Sequence, residues 1–174
     1  EKIIGNLNIL KQVNIQNVSD QTFLLHLGGK IELNSSFDIS TIDDMSKAYT
    51  PGVGRRSSHI HQTPEAAWAL TTKSHTIAVV TDGSAVLGLG NIGPEAALPV
   101  MEGKAMILQN FANVDAWPIC LNTQDEDEIV DIVQAISHGF GCINIEYIST
   151  PRCFYIAQKL TQEINIQIFH DDKQ

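Results

Sequence analysis

Residues 76–81 read TIAVVT, a short run of apolar and β-branched side chains. A run of this length and composition predicts a strand that is covered on both faces. Pro94 then opens a predicted helix in which apolar side chains recur every three or four positions. These positions are Ala97, Val100, Met101, Ala105 and Leu108. The stretch therefore predicts a buried strand followed by a helix that packs against it.

The same alternation continues along the chain after this helix. We predict further strands at 114–121, 142–147 and 164–169, and helices at about 123–136 and 151–163. Thr123 and Glu126 form the predicted capping box of the first of these helices. Strands separated by helices of this length imply crossover connections and a parallel sheet. The predicted fold class is α/β, a parallel sheet with flanking helices, preceded by a mixed N-terminal segment with short helical pieces over 38–72.

Composition and charge exclude several classes of protein. The net charge of −9 argues against a nucleic-acid-binding protein, because no basic stripe exists to neutralise phosphates. The three cysteines lack a CxxC spacing, which disfavours a disulfide framework or a zinc site and favours a reducing compartment. No apolar run approaches the ~20 residues of a membrane span, and no signal-peptide pattern opens the chain. We therefore expect a cytoplasmic protein that binds neither nucleic acid nor membranes.

The segment from Gly88 to Gly93 matches the dinucleotide pattern G-x-G-x-x-G. In a nucleotide-binding turn the first glycine directly follows the strand, whereas here residues 82–87 intervene. The acid expected about 20 residues further on should end the second strand, but Asp115 begins it. The pattern thus favours backbone packing or contact with a small substrate over nucleotide binding, and we assign no cofactor-binding residue in this chain.

Acidic residues are predicted at the carboxyl ends of the strands, where ligands of open parallel sheets collect. Glu146 ends one predicted strand, and Asp171 and Asp172 follow the next. Carboxylates that converge there would suit Mg²⁺ or Mn²⁺, although solvated loop acids are the alternative interpretation. The acidic run at 125–128 also invites a metal site, but its position in the first turn of a helix favours a role in complementing the helix dipole.

Two further residues are candidates for proton transfer. Lys104 falls on the same predicted helix face as Met101 and Leu108, which is an apolar stripe. A lysine there either extends its ammonium group to water or loses its charge readily, as a catalytic base requires. Tyr49 precedes a Thr-Pro-Gly turn at 50–52 that would hold its ring rigidly. Alone it would equally be an ordinary surface or packing tyrosine.

Several segments together resemble malic enzymes of the shorter bacterial type, from about Leu24 to the last residue. The segments that carry the resemblance are AYTPGV at 48–53, TDGSAVLGLGNIG at 81–93, PVMEGKA at 99–105, PRCF at 151–154 and FHDD at 169–172. Malic enzymes oxidise malate with NAD or NADP, decarboxylate the resulting oxaloacetate on a divalent metal ion, and protonate the enolate to give pyruvate. The resemblance therefore implies this activity, with Mg²⁺ or Mn²⁺ and NAD or NADP as cofactors.

The resemblance also implies roles for individual residues. Tyr49 resembles the general acid that protonates enolpyruvate, and Lys104 resembles the general base that takes the malate hydroxyl proton. Glu146 and Asp172 resemble metal-binding carboxylates. On the substrate side, the corresponding residues are Asp82, Gly83 and Asp171.

This chain departs from the family at two positions. Tyr147 stands where the family usually has a second metal-binding aspartate, and a phenol is a poor ligand for Mg²⁺ because its pKa is about 10. The Asp82-Gly83 segment lacks the substrate-binding arginine of the larger family members, as the short type commonly does. The first departure keeps a catalytically impaired or regulatory homologue open, beside an oxaloacetate decarboxylase of the same fold.

The family resemblance also implies how the chain is divided into domains and which partners it has. Residues 1–27 are expected to be the tail of an upstream regulatory domain of the ACT type, or a linker. Residues 28–174 are expected to form the N-terminal substrate and metal domain, cut off before the domain that binds most of the NAD or NADP. We expect the fragment alone to be inactive, the substrates to be malate and oxaloacetate, and the intact protein to be a homodimer.

Overall fold

The computed structural model describes residues 20–170, and the chain divides into two compact units, residues 1–30 and 31–174. In the first unit, helix α1 spans Gln21–Leu25, and the side chain of Asp20 caps it by accepting from the N–H of Thr22 at 2.9 Å. The expected regulatory tail over 1–27 falls largely on residues 1–19, which lie outside the described residues. No helix between residues 20 and 170 is long and apolar enough to cross a membrane.

The second unit contains the predicted alternation of strands and helices. Its helices are α2 (Ile42–Ala48), α3 (Val53–Gln62), α4 (Ala67–Leu70), α5 (Pro94–Ala112), α6 (Glu126–Ile136) and α7 (Arg152–Glu163), and its strands are β1 (Thr76–Thr81), β2 (Asp115–Cys120), β3 (Cys142–Ile145) and β4 (Gln167–His170). Short 3-10 turns lie at Pro64–Ala66, Thr72–His75 and Ser137–Gly139. The α/β prediction is confirmed, including the helical pieces that precede the first strand.

The four strands form one parallel sheet in the order β2-β1-β3-β4. Helix α5 buries Ala97 and Met101 against Val79 on one face of the sheet. Helices α6 and α7 cover the other face, where a larger apolar cluster includes Val133 of α6 and Leu160 of α7. Because all strands run the same way, the segments that follow them meet at one edge of the sheet, which we call the carboxyl edge.

The predicted boundaries need correction at several points. β2, β3 and β4 are shorter than the predicted runs at 114–121, 142–147 and 164–169. The expected cap Thr123 is also wrong by two positions, since Asp125 caps α6 by accepting from the N–H of Glu128 at 2.9 Å. The hydroxyl of Thr123 instead accepts from the N–H of Asp125 at 3.2 Å. Of these two polar residues, Asp125 is the N-cap because it directly precedes the first turn of α6.

Candidate active site

A buried ion pair lies at the carboxyl edge between α5 and β3. The side chain of Glu146, directly after β3, is 1% exposed, and its Oε1 lies 2.6 Å from Nζ of Lys104. The Nδ2 of Asn144 donates to the same oxygen at 2.9 Å, and the N–H of Glu146 donates to the carbonyl of Val80 at 2.8 Å. Burying a carboxylate in this way is costly unless it is paired, and Lys104 supplies the compensating charge.

Lys104 keeps contact with solvent while it meets Glu146. Its side chain is 30% exposed, although its own helix buries Ala97, Met101 and Ala105 on the face toward the sheet. The apolar stripe predicted from the sequence is therefore present, and the ammonium of Lys104 lies against the Glu146 carboxylate. The pair thus joins a fully buried carboxylate to an ammonium group on a side chain that reaches the surface.

Asp82 directly follows β1 and is also paired, in this case with Arg152. The Asp82 side chain is fully buried, and its Oδ2 lies 2.7 Å from Nη2 of Arg152, an ion pair rather than an aligned hydrogen bond. Its Oδ1 accepts from the N–H of Ser84 at 2.8 Å. The carboxylate that sequence reasoning placed beside the substrate thus compensates a guanidinium and folds the loop after β1.

Sequence reasoning gave Arg152 no role, although it lies in one of the segments that carry the family resemblance. Arg152 is the first residue of α7, and the segment before α7 follows β3, so Arg152 belongs to the carboxyl edge. An arginine in the first turn of a helix after a parallel strand was the available signal. It was weak, because such side chains are usually solvated.

The glycine-rich segment packs backbone against backbone. Gly83 has φ +70°, and a Cβ there would lie 2.2 Å from the carbonyl oxygen of Gly93. The carbonyl of Gly83 accepts from the N–H groups of Ile92 and Gly93 at 3.1 and 3.2 Å. Val86 donates to the carbonyl of Gly90 at 2.9 Å, closing the loop on itself. These contacts support the backbone-packing interpretation, and the start of α5 is held close to the end of β1.

Tyr147 adopts an unusual backbone conformation beside this loop. Its φ is +52°, a value that non-glycine residues adopt uncommonly. Its carbonyl accepts from the N–H of Ala85 at 3.0 Å, and its side chain packs, partly buried, against the apolar cluster that contains Val79 and Met101. Tyr147 is thus part of the apolar packing between α5 and the sheet.

The carboxyl edge also contains a small cavity of about 220 Å³. Its lining includes Leu87, Tyr147, Thr150 and His170. The ring of His170 lies edge-on to Phe154, with centroids 5.5 Å apart. Its Nδ1 is buried and has no hydrogen-bond partner among residues 20–170. The cavity therefore combines apolar walls with polar groups that follow β3 and end β4.

The remaining predicted metal ligands follow β4. Asp171 and Asp172 directly follow β4 in the sequence and lie outside the described residues. Ile145 pairs with His170, which means that Glu146 and residue 171 each follow one of two paired positions on neighbouring strands. Within residues 20–170, no three His, Cys, Asp or Glu side chains form a group that could hold a metal ion. A metal site here would accordingly need carboxylates from 171–172.

Two other acidic and aromatic candidates lie away from the buried ion pair. The acidic run at 125–128 caps and begins α6, with Asp127 bound to Lys159 and Tyr155 at 2.7 and 2.8 Å, as expected for a helix start. Tyr49 directly follows α2 and is 70% exposed. Its side chain makes no hydrogen bond with any residue between 20 and 170. The structure therefore does not bring Tyr49 to Lys104.

Comparison with known proteins gives consistent matches. The family model for the N-terminal domain of malic enzyme matches residues 28–127. The chain is 57% identical to an NAD-dependent malic enzyme of Geobacillus stearothermophilus, over 98% of this chain and 36% of that protein. It is 51% identical to a bifunctional malic/malolactic enzyme of Bacillus subtilis, over 83% of this chain and 35% of that protein.

Solved structures agree with the sequence matches. The crystal structure of an NAD-dependent malic enzyme from Thermotoga maritima superposes with a TM-score of 0.85 at 46% identity, covering 90% of this chain and 41% of that one. A malic enzyme from Pyrococcus horikoshii superposes with a TM-score of 0.81, also at 46% identity, over 83% of this chain and 33% of that one. The chain thus spans from 33% to 41% of the length of these relatives.

Proposed function

Because the chain belongs to the malic enzyme family, as its N-terminal domain, we propose that it supplies the substrate- and metal-binding part of an enzyme that converts malate to pyruvate with NAD or NADP. The observation that carries this proposal is the buried pair of Lys104 and Glu146 at the carboxyl edge of the sheet. That edge is where open parallel sheets bind their ligands. It holds an amine and a carboxylate in direct contact, and these groups are suited to proton transfer and to metal binding.

Lys104 is the proposed general base. Oxidation of malate at C2 requires removal of the hydroxyl proton while a hydride leaves from the same carbon. An amine can accept that proton only in its neutral form. The side chain of Lys104 is 30% exposed and therefore keeps contact with solvent. Lys104 would thus take the hydroxyl proton and pass it to solvent.

Glu146 and Asp172 are the proposed metal ligands, with Asp171, Asp82 and Gly83 on the substrate side. The donor chemistry fits Mg²⁺ or Mn²⁺, since these ions prefer carboxylate oxygens. The adjacency of β3 and β4 supports the pairing of Glu146 with residues 171–172. A cation held by these carboxylates would supply Lewis-acid stabilisation for the negative charge that develops on the substrate. For Asp82, its ion pair with Arg152 favours an indirect role in shaping the loop over direct contact with malate.

Tyr49 is the proposed acid that protonates enolpyruvate. Its exposure in this chain means that it would reach the enolate through a movement of the α2–α3 segment or in the cleft of a neighbouring subunit. The second arrangement would make the proposed homodimer necessary for turnover. The nicotinamide cofactor would bind mainly to a domain beyond this chain, so the fragment alone would be inactive. A cytoplasmic location fits a soluble metabolic enzyme of this kind.

Tyr147 favours one second candidate function, a catalytically impaired homologue. Its phenol stands where the family usually has a carboxylate, and its ring takes part in the packing against Val79 and Met101. A protonated phenol contributes little to binding Mg²⁺ at neutral pH. A homologue that had lost only the oxidation of malate would still decarboxylate oxaloacetate, which is the related alternative function.

Two assays of the full-length protein with Mn²⁺ distinguish these functions. The first follows malate-dependent formation of NADH or NADPH, and the second follows decarboxylation of added oxaloacetate. Activity in both assays is the expected result. Decarboxylation without reduction of either nucleotide would identify the decarboxylase, and activity in neither assay would contradict the proposed enzyme.

A further inference from the structure

Arg152 connects three of the segments that form the carboxyl edge. Its Nη1 donates to the carbonyl of Gln124 at 2.6 Å, in the segment after β2. Its Nε and Nη2 donate to Oγ of Ser149 at 3.2 and 2.9 Å, in the segment after β3. Its Nη2 also donates to Oγ of Ser84 at 2.7 Å and pairs with Asp82, both in the segment after β1.

The segments after β1 and β3 are joined by two further bonds beside this guanidinium. The N–H of Ser149 donates to Oγ of Ser84 at 2.8 Å. The N–H of Ala85 donates to the carbonyl of Tyr147 at 3.0 Å. These bonds hold Tyr147 at φ +52°, a conformation that persists only where the surroundings enforce it. Tyr147 directly follows Glu146, so the same bonds fix the direction in which the Glu146 carboxylate leaves the strand.

We propose that Arg152 is a positioning residue of the active site, which clamps the segments after β1, β2 and β3 so that the Glu146 carboxylate stays against Lys104. The inference rests on the proposed function in that it assigns this geometry a role in binding metal and malate. The guanidinium charge is already compensated by buried Asp82, and its donors are directed at loop oxygens. Arg152 therefore acts through Glu146 and is not assigned contact with malate.

The geometry requires an arginine rather than any cation. A guanidinium presents five N–H donors in a fixed plane, whereas a lysine ammonium presents three from a single atom. The acceptors belong to three separate chain segments and lie up to 68 residues from Arg152 in the sequence. Lysine at this position could keep the charge pair with Asp82 but not all of the bonds to Gln124, Ser84 and Ser149.

The test compares Arg152→Gln and Arg152→Lys in the full-length protein with a matched control on the same helix. The control is Lys159→Gln, which breaks an exposed ion pair with Asp127. We expect Arg152→Gln to weaken Mn²⁺ binding by about 10–100-fold, the usual effect of losing a residue that orients a metal ligand. The Mn²⁺ affinity of Arg152→Lys should lie between those of wild type and Arg152→Gln. In both Arg152 variants, kcat for malate should fall by a larger factor than KM rises. Lys159→Gln should leave the Mn²⁺ affinity, kcat and KM unchanged.

A readout without metal or malate keeps the inference independent of the proposed function. Limited amine acylation followed by peptide mass spectrometry measures the reaction rate of Lys104 against that of Lys47 in the same molecules. Loss of the Arg152 bonds should free Nζ of Lys104 from the Glu146 carboxylate, so Lys104 should be acylated faster in Arg152→Gln while the rate of Lys47 stays unchanged. If Arg152→Gln does not fold, Ser149→Ala serves instead, because it removes the acceptor of two of the Arg152 bonds. It should raise the acylation rate of Lys104 by a smaller factor.

The outcomes separate the two proposals. Wild-type protein that neither binds Mn²⁺ nor oxidises malate would contradict the proposed function, while the labelling rates still decide the role of Arg152. A lower melting temperature in Arg152→Gln with wild-type labelling at Lys104 would show that Arg152 only stabilises the fold. An unchanged Lys104 rate in a folded Ser149→Ala protein would equally overturn the inference.

Discussion

Two partly buried lysines lie at opposite edges of the sheet, and their partners differ. At the amino edge, Nζ of Lys73 donates to the carbonyls of His138 and Phe140 at 3.0 and 2.8 Å and lies 5.2 Å from the centre of the Trp68 ring. At the carboxyl edge, Lys104 meets the buried carboxylate of Glu146 at 2.6 Å. Both ammonium groups have polar partners, but of these two lysines only Lys104 is paired with an opposite charge.

The difference teaches how to distinguish a structural lysine from a functional one. Carbonyl groups satisfy an ammonium without adding charge, and burial alone lowers the pKa of Lys73. The pair of Lys104 and Glu146 places two ionisable groups at the carboxyl edge, and burying them costs desolvation energy. Natural proteins accept such a cost mainly where charge or proton transfer is needed. The amino edge is accordingly interpreted as scaffold and the carboxyl edge as the reactive side.

Replacing the two lysines separately should give the largest contrast. Lys104→Ala in the full-length protein should lower the rate of malate oxidation by about 10²–10⁴-fold, as for loss of a positioned general base. Lys73→Ala should leave kcat within about twofold but destabilise the protein by about 1–3 kcal/mol, because carbonyls lose a charged donor. Steady-state kinetics and urea unfolding measure the two effects. Equal losses of activity in both variants would remove the distinction between the edges.

The amino edge should also resist thiol modification. Burial raises the pKa of the Cys142 thiol, at the start of β3, to about 11 from an ordinary value of 9.0. At pH 8 its thiolate fraction should be about 100-fold below that of an unperturbed thiol, because each pKa unit is a factor of ten. Alkylation with iodoacetamide, followed by mass spectrometry, measures this at Cys142.

The same shift has a consequence for stability at high pH. A raised pKa means that the folded state keeps the proton longer than the unfolded state, so stability falls as pH rises from about 9 to about 11. Below pH 9 this group should leave stability unaffected. Rapid alkylation of Cys142 at pH 8 in the folded protein would contradict the described burial.

A smaller effect is expected from introducing, at position 147, the carboxylate that the resemblance to the family implies there. Tyr147→Asp should tighten Mn²⁺ binding by about tenfold, since an ionised oxygen donor replaces a protonated phenol. Tyr147→Phe is the matched control and should leave the affinity unchanged, because it removes only the hydroxyl. Calorimetric titration of the full-length variants with Mn²⁺ gives both values. Weaker binding by Tyr147→Asp than by Tyr147→Phe would show that the ring itself supports the site.

The sequence predicted the sheet because its signals are local. The run at 76–81 and the periodicity of α5 are properties of single elements, and they placed Lys104 on the correct helix face. The rule that strand ends converge then brought Glu146 into consideration. Arg152 was not predicted because its hydrogen-bond partners lie up to 68 residues away in the chain, and no pattern in one segment encodes them.

Tyr49 and Asp82 show where the sequence was insufficient for the site. The turn at 50–52 predicted a fixed ring, but where that ring points depends on how α2 and α3 pack on other parts of the protein. Asp82 was expected beside the substrate, and its burial against Arg152 follows from a contact between segments after β1 and β3. Charge pairing across loops is a tertiary property, whereas strand and helix periodicity is not.

Chemical rescue of Lys104→Ala tests the central claim most directly. Small primary amines such as methylamine are added to the full-length variant, and malate-dependent formation of NADH or NADPH is followed. The account predicts that the rate rises about tenfold or more with the concentration of unprotonated amine, because the added base takes the malate hydroxyl proton. Wild-type activity in Lys104→Ala without any added amine would contradict the assignment of Lys104 as the base.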